Sequence, residues 1–343
     1  MKDVAARARV SVSTVSHVLN ETRRVSEETR GEVLAAIKEL SYRPNLLAKG
    51  LRTRRTYTIG LLIPDIQNSF FTSVVRGVED VALSRGYHLF LCKTDEDRRR
   101  EDEYITELAK KRVDGLMVAP PARREAGVRR LRREGVPFVF VDRDVEGAEA
   151  DVVSVNYQAG MRLTAEHLVG LEHRRIAILI SGPLDKASGY ERHLGLHDAL
   201  SDLGVELEDS LVRFGDFRAS SGREEARDLL SLPSPPTAMV TANNQMTLGA
   251  LLTISEMGLG VPGDVSVVGF DDLEWAPLAG PPLTGPPLTT VAQPTYEMGV
   301  RAARMLFDRI ETEPGGEGRK VLLEPWLVVR ESTALAKRPS TKG

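Results

Sequence analysis

Two kinds of hydrophobic pattern divide the chain near residue 57. Before that position apolar residues recur at helical spacing, as Val33, Ile37 and Leu40 do at i, i+4 and i+7, which is the repeat of one buried helix face. This first segment is therefore predicted to form a minimal bundle of three short helices. Their expected ranges are 2–9, 12–19 and 27–41.

After residue 57 short, apolar, β-rich runs alternate with amphipathic helical stretches. Near-continuous apolar strands that alternate with helices indicate parallel sheet covered on both faces. Several runs end on a polar residue, and the runs are too many for one open sheet. We therefore predict two doubly wound subdomains facing a cleft, with ligands beyond the carboxyl ends of the strands. The predicted strands are 57–64, 87–93, 113–120, 137–144, 175–181, 237–243 and 265–271.

Three segments interrupt these patterns. The stretch 45–56 is basic and only weakly helical, and is interpreted as a linker. GPPLT occurs twice in tandem over 280–289, where paired prolines exclude regular helix and central strand and indicate an exposed loop. The tail 337–343 is predicted to be disordered. Between them lie a predicted helical head, 1–44, and a predicted α/β core, 57–336.

Composition excludes several classes of protein. The chain has 343 residues, 41% hydrophobic and 28% charged, as in globular proteins of two or three domains. It shows neither an apolar run of the roughly 18 residues that a membrane span needs nor a signal-peptide pattern, so we expect a cytoplasmic protein. The single cysteine, Cys92, rules out an intrachain disulfide and a cysteine metal cluster, and is interpreted as a buried thiol in a strand.

Sequence motifs give no indication of an enzyme, a cofactor or a metal. Walker A, HExxH and GxSxG patterns are absent. A GxGxxG at 258–263 follows a helical pattern and precedes a strand, the reverse of the order that a dinucleotide site needs. His193 and His197 share a predicted helix face, but no suitable third ligand accompanies them, so they are interpreted as surface or structural histidines.

Charge and side-chain pattern both single out the head. Residues 1–58 carry twelve Lys and Arg against six Asp and Glu, a net charge of +6, whereas the rest of the chain carries −9. A basic head is suited to a polyanion. Its second helix would be capped by Ser11 and would bury Val15, Val18 and Leu19, leaving a polar face outward. Helix, tight turn and polar second helix is the arrangement that places a recognition helix in the DNA major groove; a protein-binding bundle is the alternative.

Ordered motifs resemble the LacI–GalR family of bacterial transcription repressors. KDVAARARVSVSTVSHVLN and VSEETRGEVLAAIKELSYRPNLLAKGLRT are similar to the family's helix-turn-helix and hinge, and VDGLMVAP, HRRIAILISGP, VPGDVSVVGFDD and PPLTTVAQP to its periplasmic-binding-protein-like core, so the resemblance covers essentially 1–336. It implies a sequence-specific regulator, expected to be a repressor, that binds palindromic double-stranded operator DNA as a homodimer or tetramer without a cofactor. Its subdomains would be about 57–156 plus 290–320, and about 157–289 plus 321–336.

The resemblance also assigns DNA contacts residue by residue. Val12, Ser13 and His17 fall on base-reading positions, and Leu51 of the hinge on the minor-groove wedge. His17 stands where the family commonly has arginine, and neutral histidine lacks the guanidinium fork, so a different base preference is expected. Arg9 replaces a turn glycine and would be strained by about 1 kcal/mol at positive φ. The expected DNA-binding residues are Val12, Ser13, Thr14, Ser16, His17, Asn20 and Leu51.

A small carbohydrate-like effector is implied for the core. Phe70 and Phe71 would cover a ring, with at least one of them exposed, and Arg192 would anchor hydroxyl groups. Asn156 and Asn244 stand where many relatives carry aspartate, which removes negative charge near the cleft. A purine or nucleoside effector, a sugar acid or phosphate, and a plain sugar-binding protein remain alternatives. The expected effector-binding residues are Phe70, Phe71, Asp142, Lys186, Ser188, Arg192, Phe217, Asn243 and Asp271.

Overall fold

The chain forms two compact units, Met1–Thr56 and Tyr57–Gly343. The computed structural model describes residues 1–20, 23–42, 55–121, 126–145, 147–182, 187–278, 286–312 and 317–337. Most of the predicted linker 45–56, the first half of the tandem GPPLT segment and nearly all of the tail 337–343 lie outside the described residues.

The first unit contains the three predicted helices. They are α1 (Lys2–Arg7), α2 (Val12–Asn20) and α3 (Glu27–Glu39). Val4, Val15 and Val33, one from each helix, are fully buried together, so each helix supplies one apolar face to a shared core. Ser26 caps α3, because its hydroxyl accepts a hydrogen bond from the Thr29 amide at 3.3 Å.

The second unit alternates strands and helices along most of its length. Its strands are β1 (Thr58–Ile63), β2 (His88–Lys93), β3 (Gly115–Val118), β4 (Phe138–Val141), β5 (Asp151–Val155), β6 (Ile176–Ser181), β7 (Val212–Gly215), β8 (Ala238–Thr241), β9 (Ser266–Phe270), β10 (Thr289–Ala292), β11 (Lys320–Leu323) and β12 (Trp326–Val328). Its helices are α4 (Ser69–Ser84), α5 (Arg98–Lys110), α6 (Ala126–Glu134), α7 (Tyr157–Gly170), α8 (Ala187–Asp202), α9 (Ala219–Leu230), α10 (Asn244–Glu256) and α11 (Thr295–Glu311).

Two six-stranded sheets organise this unit, as predicted. The first sheet has the order β11-β5-β4-β3-β1-β2 and is parallel throughout; the second has the order β12-β10-β9-β8-β6-β7, with only β12 antiparallel among the described strands. The largest cluster of buried apolar residues includes strands of both sheets. The two subdomains therefore share one continuous core beside the cleft.

The points where the chain changes subdomain differ from those predicted. Thr290–Ala292 was assigned to the first subdomain, but β10 pairs with β9 of the second sheet. Residues 321–323 were assigned to the second subdomain, but β11 pairs with β5 of the first. Both short strands lack a continuous apolar pattern, so the sequence offered no signal for the sheet to which each belongs.

Two glycines fix the approach of α4 to α11 in the first subdomain. A Cβ on Gly77 would lie 2.2 Å from the Tyr296 carbonyl oxygen, and a Cβ on Gly299 would lie 2.1 Å from the Val74 carbonyl oxygen. Each backbone thus occupies the space that a side chain would need on the other helix. This packing sets the position of α4, whose first turn carries Phe70 and Phe71.

Cys92 is half-buried in the edge strand β2, less buried than predicted. Partial burial raises the pKa of its thiol, so the inert structural interpretation of this cysteine stands.

Candidate DNA-binding face and effector cavity

The second helix of the head has the two faces that its sequence predicts. Val15 and Val18 are buried. Ser11 caps the helix, because its hydroxyl accepts a hydrogen bond from the Thr14 amide at 3.0 Å. Val12 and Ser13 are exposed at the beginning of α2, where a recognition helix reaches base edges.

The other predicted DNA contacts are less exposed or lie outside the described residues. Thr14, Ser16 and His17 are half-buried on α2. The side chain of Asn20 and the whole of Leu51 lie outside the described part of the chain.

Arg9 lies in the tight turn between α1 and α2 with a φ of 52°. This is the left-handed region, in which a residue with a Cβ is strained by roughly 1 kcal/mol. The turn therefore retains a glycine-like backbone at a position occupied by arginine, as the sequence predicts.

A cavity of about 700 Å³ opens at the carboxyl ends of strands from both sheets, the position that doubly wound folds use for ligands. Seven of the nine predicted effector residues line it. Lys186 and the side chain of Ser188 lie outside the described residues. The seven are Phe70, Phe71, Asp142, Arg192, Phe217, Asn243 and Asp271.

Arg192 is buried against the inner wall of this cavity. Its guanidinium carbon lies 4.5 Å from the ring centroid of Tyr157 and 4.4 Å from that of Phe270, and its Nη1 donates to the Ala242 carbonyl oxygen at 2.6 Å. These contacts fix the planar group in one orientation. Nε is buried without a hydrogen-bond partner among the described residues, so it is placed to donate to a bound ligand.

Asp271 follows β9 with a φ of 81° and accepts hydrogen bonds from the Asn244 amide, at 3.2 Å, and from the side chain of Gln293. Burial raises the pKa of its carboxyl, and the charge of Arg192 opposes that effect. The carboxyl oxygens are thus oriented by fixed donors beside a cation, which is a preorganised site for hydroxyl groups.

Asn243 follows β8 and performs two tasks with one amide. Its Oδ1 caps α10 by accepting from the Met246 amide at 2.7 Å. Its Nδ2 is buried without a partner among the described residues. The cap fixes which side of the amide faces the cavity, so Asn243 offers a ligand a donor.

Phe70 and Phe71 line the cavity as predicted, but the expectation that at least one is exposed is wrong. Their exposed fractions are 6% and 4%, and the ring centroids are 4.9 Å apart in an edge-to-face arrangement. Asn68 caps α4 at this point by accepting from the Phe70 amide. The first turn of α4 lies beside the opposite subdomain, so both rings pack within the closed wall.

Asn156 lies away from the residues that line the cavity. It caps α7 through the Ala159 amide at 3.1 Å, and its Nδ2 donates to Glu324 at 3.2 Å. Its expected effect on cleft charge was therefore wrong. Asn244 does adjoin the cavity, because its Nδ2 donates to the lining residue Asn68 at 2.7 Å.

Sequence reasoning missed four residues of this site: Asn68, Arg143, Tyr157 and Gln293. Arg143 directly follows the predicted strand-end residue Asp142, so its position was available from the pattern. Tyr157 and Gln293 carried no such signal, since their roles depend on contacts with Asp142 and Asp271 from other elements.

Searches for other kinds of site gave nothing within the described residues. They contain no group of His, Cys, Asp or Glu that could hold a metal ion. No described helix is both long and apolar enough to cross a membrane.

A helix-turn-helix head joined to a two-sheet core with a polar cavity is the organisation of a ligand-controlled transcription regulator. Residues 1–45 match the family described as bacterial regulatory proteins, lacI family, and residues 165–333 match the periplasmic binding protein-like domain. The ribose operon repressor of Escherichia coli strain K12 is 39% identical over 333 residues, covering 97% of this chain and 99% of that protein.

Solved structures agree with these matches. The lac repressor dimer bound to operator and the anti-inducer ONPF has a TM-score of 0.85 at 31% identity, covering 97% of this chain and 98% of that one. A LacI family transcriptional regulator from Enterococcus faecium with bound ribose has a TM-score of 0.71 at 30% identity, covering 82% of this chain and 100% of that one. The chain belongs to the LacI family of bacterial regulatory proteins. It is a DNA-binding transcription regulator controlled by a small-molecule effector, and not an enzyme.

Proposed function

We propose that the protein represses transcription from a palindromic operator and that its effector is a neutral monosaccharide, with D-ribose as the first candidate. The observation that carries this proposal is the cavity wall. It combines the rings of Phe70, Phe71 and Phe217 with buried polar atoms of Arg192 and Asn243 that lack protein partners. Aromatic faces suit the C–H surface of a sugar, and fixed donors and acceptors suit its hydroxyl groups.

The charge of the cavity favours a neutral ligand. Two of its cations are engaged by carboxylates, Lys93 by Asp95 at 2.6 Å and Arg143 by Glu96 at 2.8 Å. Carboxylates outnumber cations among the described lining residues, so a sugar acid or phosphate meets net repulsion. The cations are Lys93, Arg143, Arg192 and Arg218, and the carboxylates are Asp65, Asp95, Glu96, Asp142, Asp216 and Asp271.

Ribose is ranked first because relatives point to it. The ribose operon repressor is similar over nearly the whole chain, and a regulator of the same fold holds ribose. Titration calorimetry with D-ribose, D-ribose 5-phosphate, gluconate and hypoxanthine tests this ranking. We expect D-ribose to bind and to raise the melting temperature. Tighter binding of either anion would contradict the charge argument, and tighter binding of hypoxanthine would identify a purine-responsive regulator.

Two variants test the position of the cavity. Arg192→Ala should abolish the effector response while DNA binding at low salt persists, because the change removes the fixed guanidinium from the cavity alone. Arg162→Ala is the control, since Arg162 is exposed and pairs with Asp202 at 2.6 Å outside the cavity. Unchanged effector affinity in Arg192→Ala would show that the ligand binds elsewhere.

On DNA we infer that α2 reads the major groove with Val12, Ser13 and His17, supported by Thr14, Ser16 and Asn20, and that Leu51 of the hinge enters the minor groove. A chain that begins at residue 57 should keep effector binding and lose operator binding. Loss of both would contradict this modular division. We place the site of action in the bacterial cytoplasm, on DNA of the nucleoid.

A palindromic operator calls for two heads, so we propose a homodimer as the minimal assembly. The edge strand β2 leaves Phe90 and Leu91 exposed by 43% and 37%. An exposed apolar edge strand favours pairing with another chain. Sedimentation at micromolar concentration should distinguish dimer from tetramer, and Leu91→Glu should shift either assembly toward monomer.

A further inference from the structure

A second arginine, Arg143, lines the same cavity in a different way from Arg192. It is 4% exposed, and both of its Nη atoms donate to the carboxylate of Glu96 at 2.8 Å. Nη1 also donates to the Pro120 carbonyl oxygen at 3.2 Å, and Nε lies 3.3 Å from Asp142 Oδ2. The fork is therefore occupied by protein acceptors, whereas Arg192 keeps a buried donor for a ligand.

Arg143 also follows a strained turn. The backbone amide of Arg143 donates to the Val141 carbonyl oxygen at 2.8 Å, and Asp142 between them has a φ of 69°. This is a three-residue turn of the rare kind that needs positive φ. Such a turn persists only when surrounding contacts over-determine it. Here Tyr157 donates to the side chain of Asp142, and Glu96 holds Arg143.

The face of the Arg143 guanidinium contacts the other wall of the cleft. Its central carbon lies 5.1 Å from the ring centroid of Phe217. Arg143 follows β4 of the first sheet and Phe217 follows β7 of the second, so this cation–π contact spans the cavity. Phe217 itself has a φ of 70°, which is a second backbone strain held at the same place. The contact forms only when the two walls are at this separation.

We infer that Glu96 and Arg143 form a positioning pair for the effector. The pair holds Asp142 in its strained turn and presents a flat cation on which Phe217 closes. Effector retention thus depends on a residue that keeps no side-chain donor free for the ligand. This inference rests on the proposed function of the cavity as the effector site.

The chemistry of the pair predicts how each substitution acts. Arg143→Lys keeps the charge but loses the two-pronged bond to Glu96 and the stacking face. Phe217→Leu keeps an apolar side chain but removes the ring. Glu96→Gln keeps the shape of the acceptor and weakens the ionic hold, so it should produce a smaller effect in the same direction.

D-ribose binding measured by stopped flow and calorimetry tests the inference through a double-mutant cycle on the full chain. Arg143→Lys and Phe217→Leu should each weaken affinity about tenfold, mainly through faster dissociation, because a desolvated cation–π contact is lost in each. The double variant should be about tenfold weaker rather than about a hundredfold weaker, since both changes remove the same contact.

Three results would overturn the inference. They are additive losses in the cycle, single variants that bind D-ribose as tightly as the unchanged protein, or a loss that appears only in the association rate. Circular dichroism of each variant checks folding, and Glu96→Gln provides the readout if Arg143→Lys does not fold. Absence of D-ribose binding by the unchanged protein is a separate result, which would overturn the proposed ligand and the inference with it.

Discussion

Asn244 donates from its Nδ2 to the Oδ1 of Asn68 at 2.7 Å, and this hydrogen bond joins the two subdomains. Asn68 caps α4 in the first subdomain and Asn244 begins α10 in the second. The Oδ1 of Asn68 also accepts from the Phe70 amide at 3.0 Å. Since a backbone amide can only donate, the orientation of the Asn68 amide is fixed and Asn244 must be the donor.

Asn244→Asp should therefore weaken effector binding. A carboxylate cannot donate to Asn68, so the bond between subdomains is replaced by repulsion between two oxygens. We expect the affinity for the effector to fall about five- to tenfold, which corresponds to the net value of one buried hydrogen bond. Titration calorimetry with D-ribose measures this change.

Asn156→Asp is the matched control for that substitution. It changes the net charge equally, but Asn156 caps α7 outside the cavity, and aspartate also caps helices well. Its effector affinity should stay within about twofold of the unchanged protein. Equal losses in both variants would show that net charge, not the bond to Asn68, sets the affinity.

The strained turn of the head leads to a stability prediction. Arg9→Gly should stabilise the head by about 0.5–1 kcal/mol, because glycine adopts the φ of 52° without a Cβ clash and the relief exceeds its greater entropy loss on folding. Hydrogen exchange of peptides from α3 in the full chain should slow about two- to fivefold, since those amides report opening of the bundle.

Arg7→Gly provides the opposite sign. Arg7 ends α1 and pairs with Glu39 at 2.6 Å, so glycine there loses helix propensity and a surface ion pair. Exchange in α3 should become faster. Slower exchange in both variants would mean that loss of positive charge, rather than backbone strain, governs the stability of the head.

Buried, apolar elements were the predictable part of this fold. The core strands β1, β3, β6, β8 and β9 have continuous apolar runs, and such runs indicate strands that helices cover on both faces. The edge strands β7, β11 and β12 alternate or are half-exposed, so no run marks them. Their pairing depends on tertiary contacts instead.

The site divides in the same way. Asp142, Asn243 and Asp271 were predictable because each follows an apolar strand, and parallel strands end at one edge. Burial of both Phe70 and Phe71 was not, because it depends on how closely the subdomains approach. The role of Arg143 was not predictable either, since a three-residue turn at positive φ cannot be recognised from an Asp-Arg pair.

The base preference of α2 should depend on His17. His17→Arg should select guanine at the contacted position, because arginine binds guanine O6 and N7 in two-pronged fashion and gains about 1–3 kcal/mol of discrimination. Selection of binding sites from random DNA by both proteins measures the difference. Identical preferences would remove His17 from the base-reading set.

Ser16→Ala is the control for this selection. Ser16 is expected nearer to the phosphates, so its loss should weaken binding to all sequences alike and leave the preferred bases unchanged. A changed base preference in Ser16→Ala would instead assign base reading to that position.

A buried carboxyl in the first subdomain should make the stability of the core depend on pH. Glu101 of α5 is 3% exposed, and its Oε2 has no partner among the described residues. Burial, reinforced by the charge of Asp102, raises the pKa of Glu101 to about 8 from an ordinary value of 4.5. Between these values the folded protein keeps a proton that the unfolded chain releases. Stability from this group is therefore full below pH 4.5 and is lost as pH rises toward 8.

Glu101→Gln should remove this dependence, because an amide stays neutral at every pH. Relative to the unchanged protein, the variant should gain free energy of unfolding between pH 5 and pH 9, by on the order of a few kcal/mol. Urea unfolding followed by tryptophan fluorescence measures the gain. Glu107→Gln is the control on the same helix, because Glu107 is exposed and Lys110 lowers its pKa. A gain in Glu101→Gln that does not grow with pH would show that Glu101 is already ionised in the folded protein at pH 5.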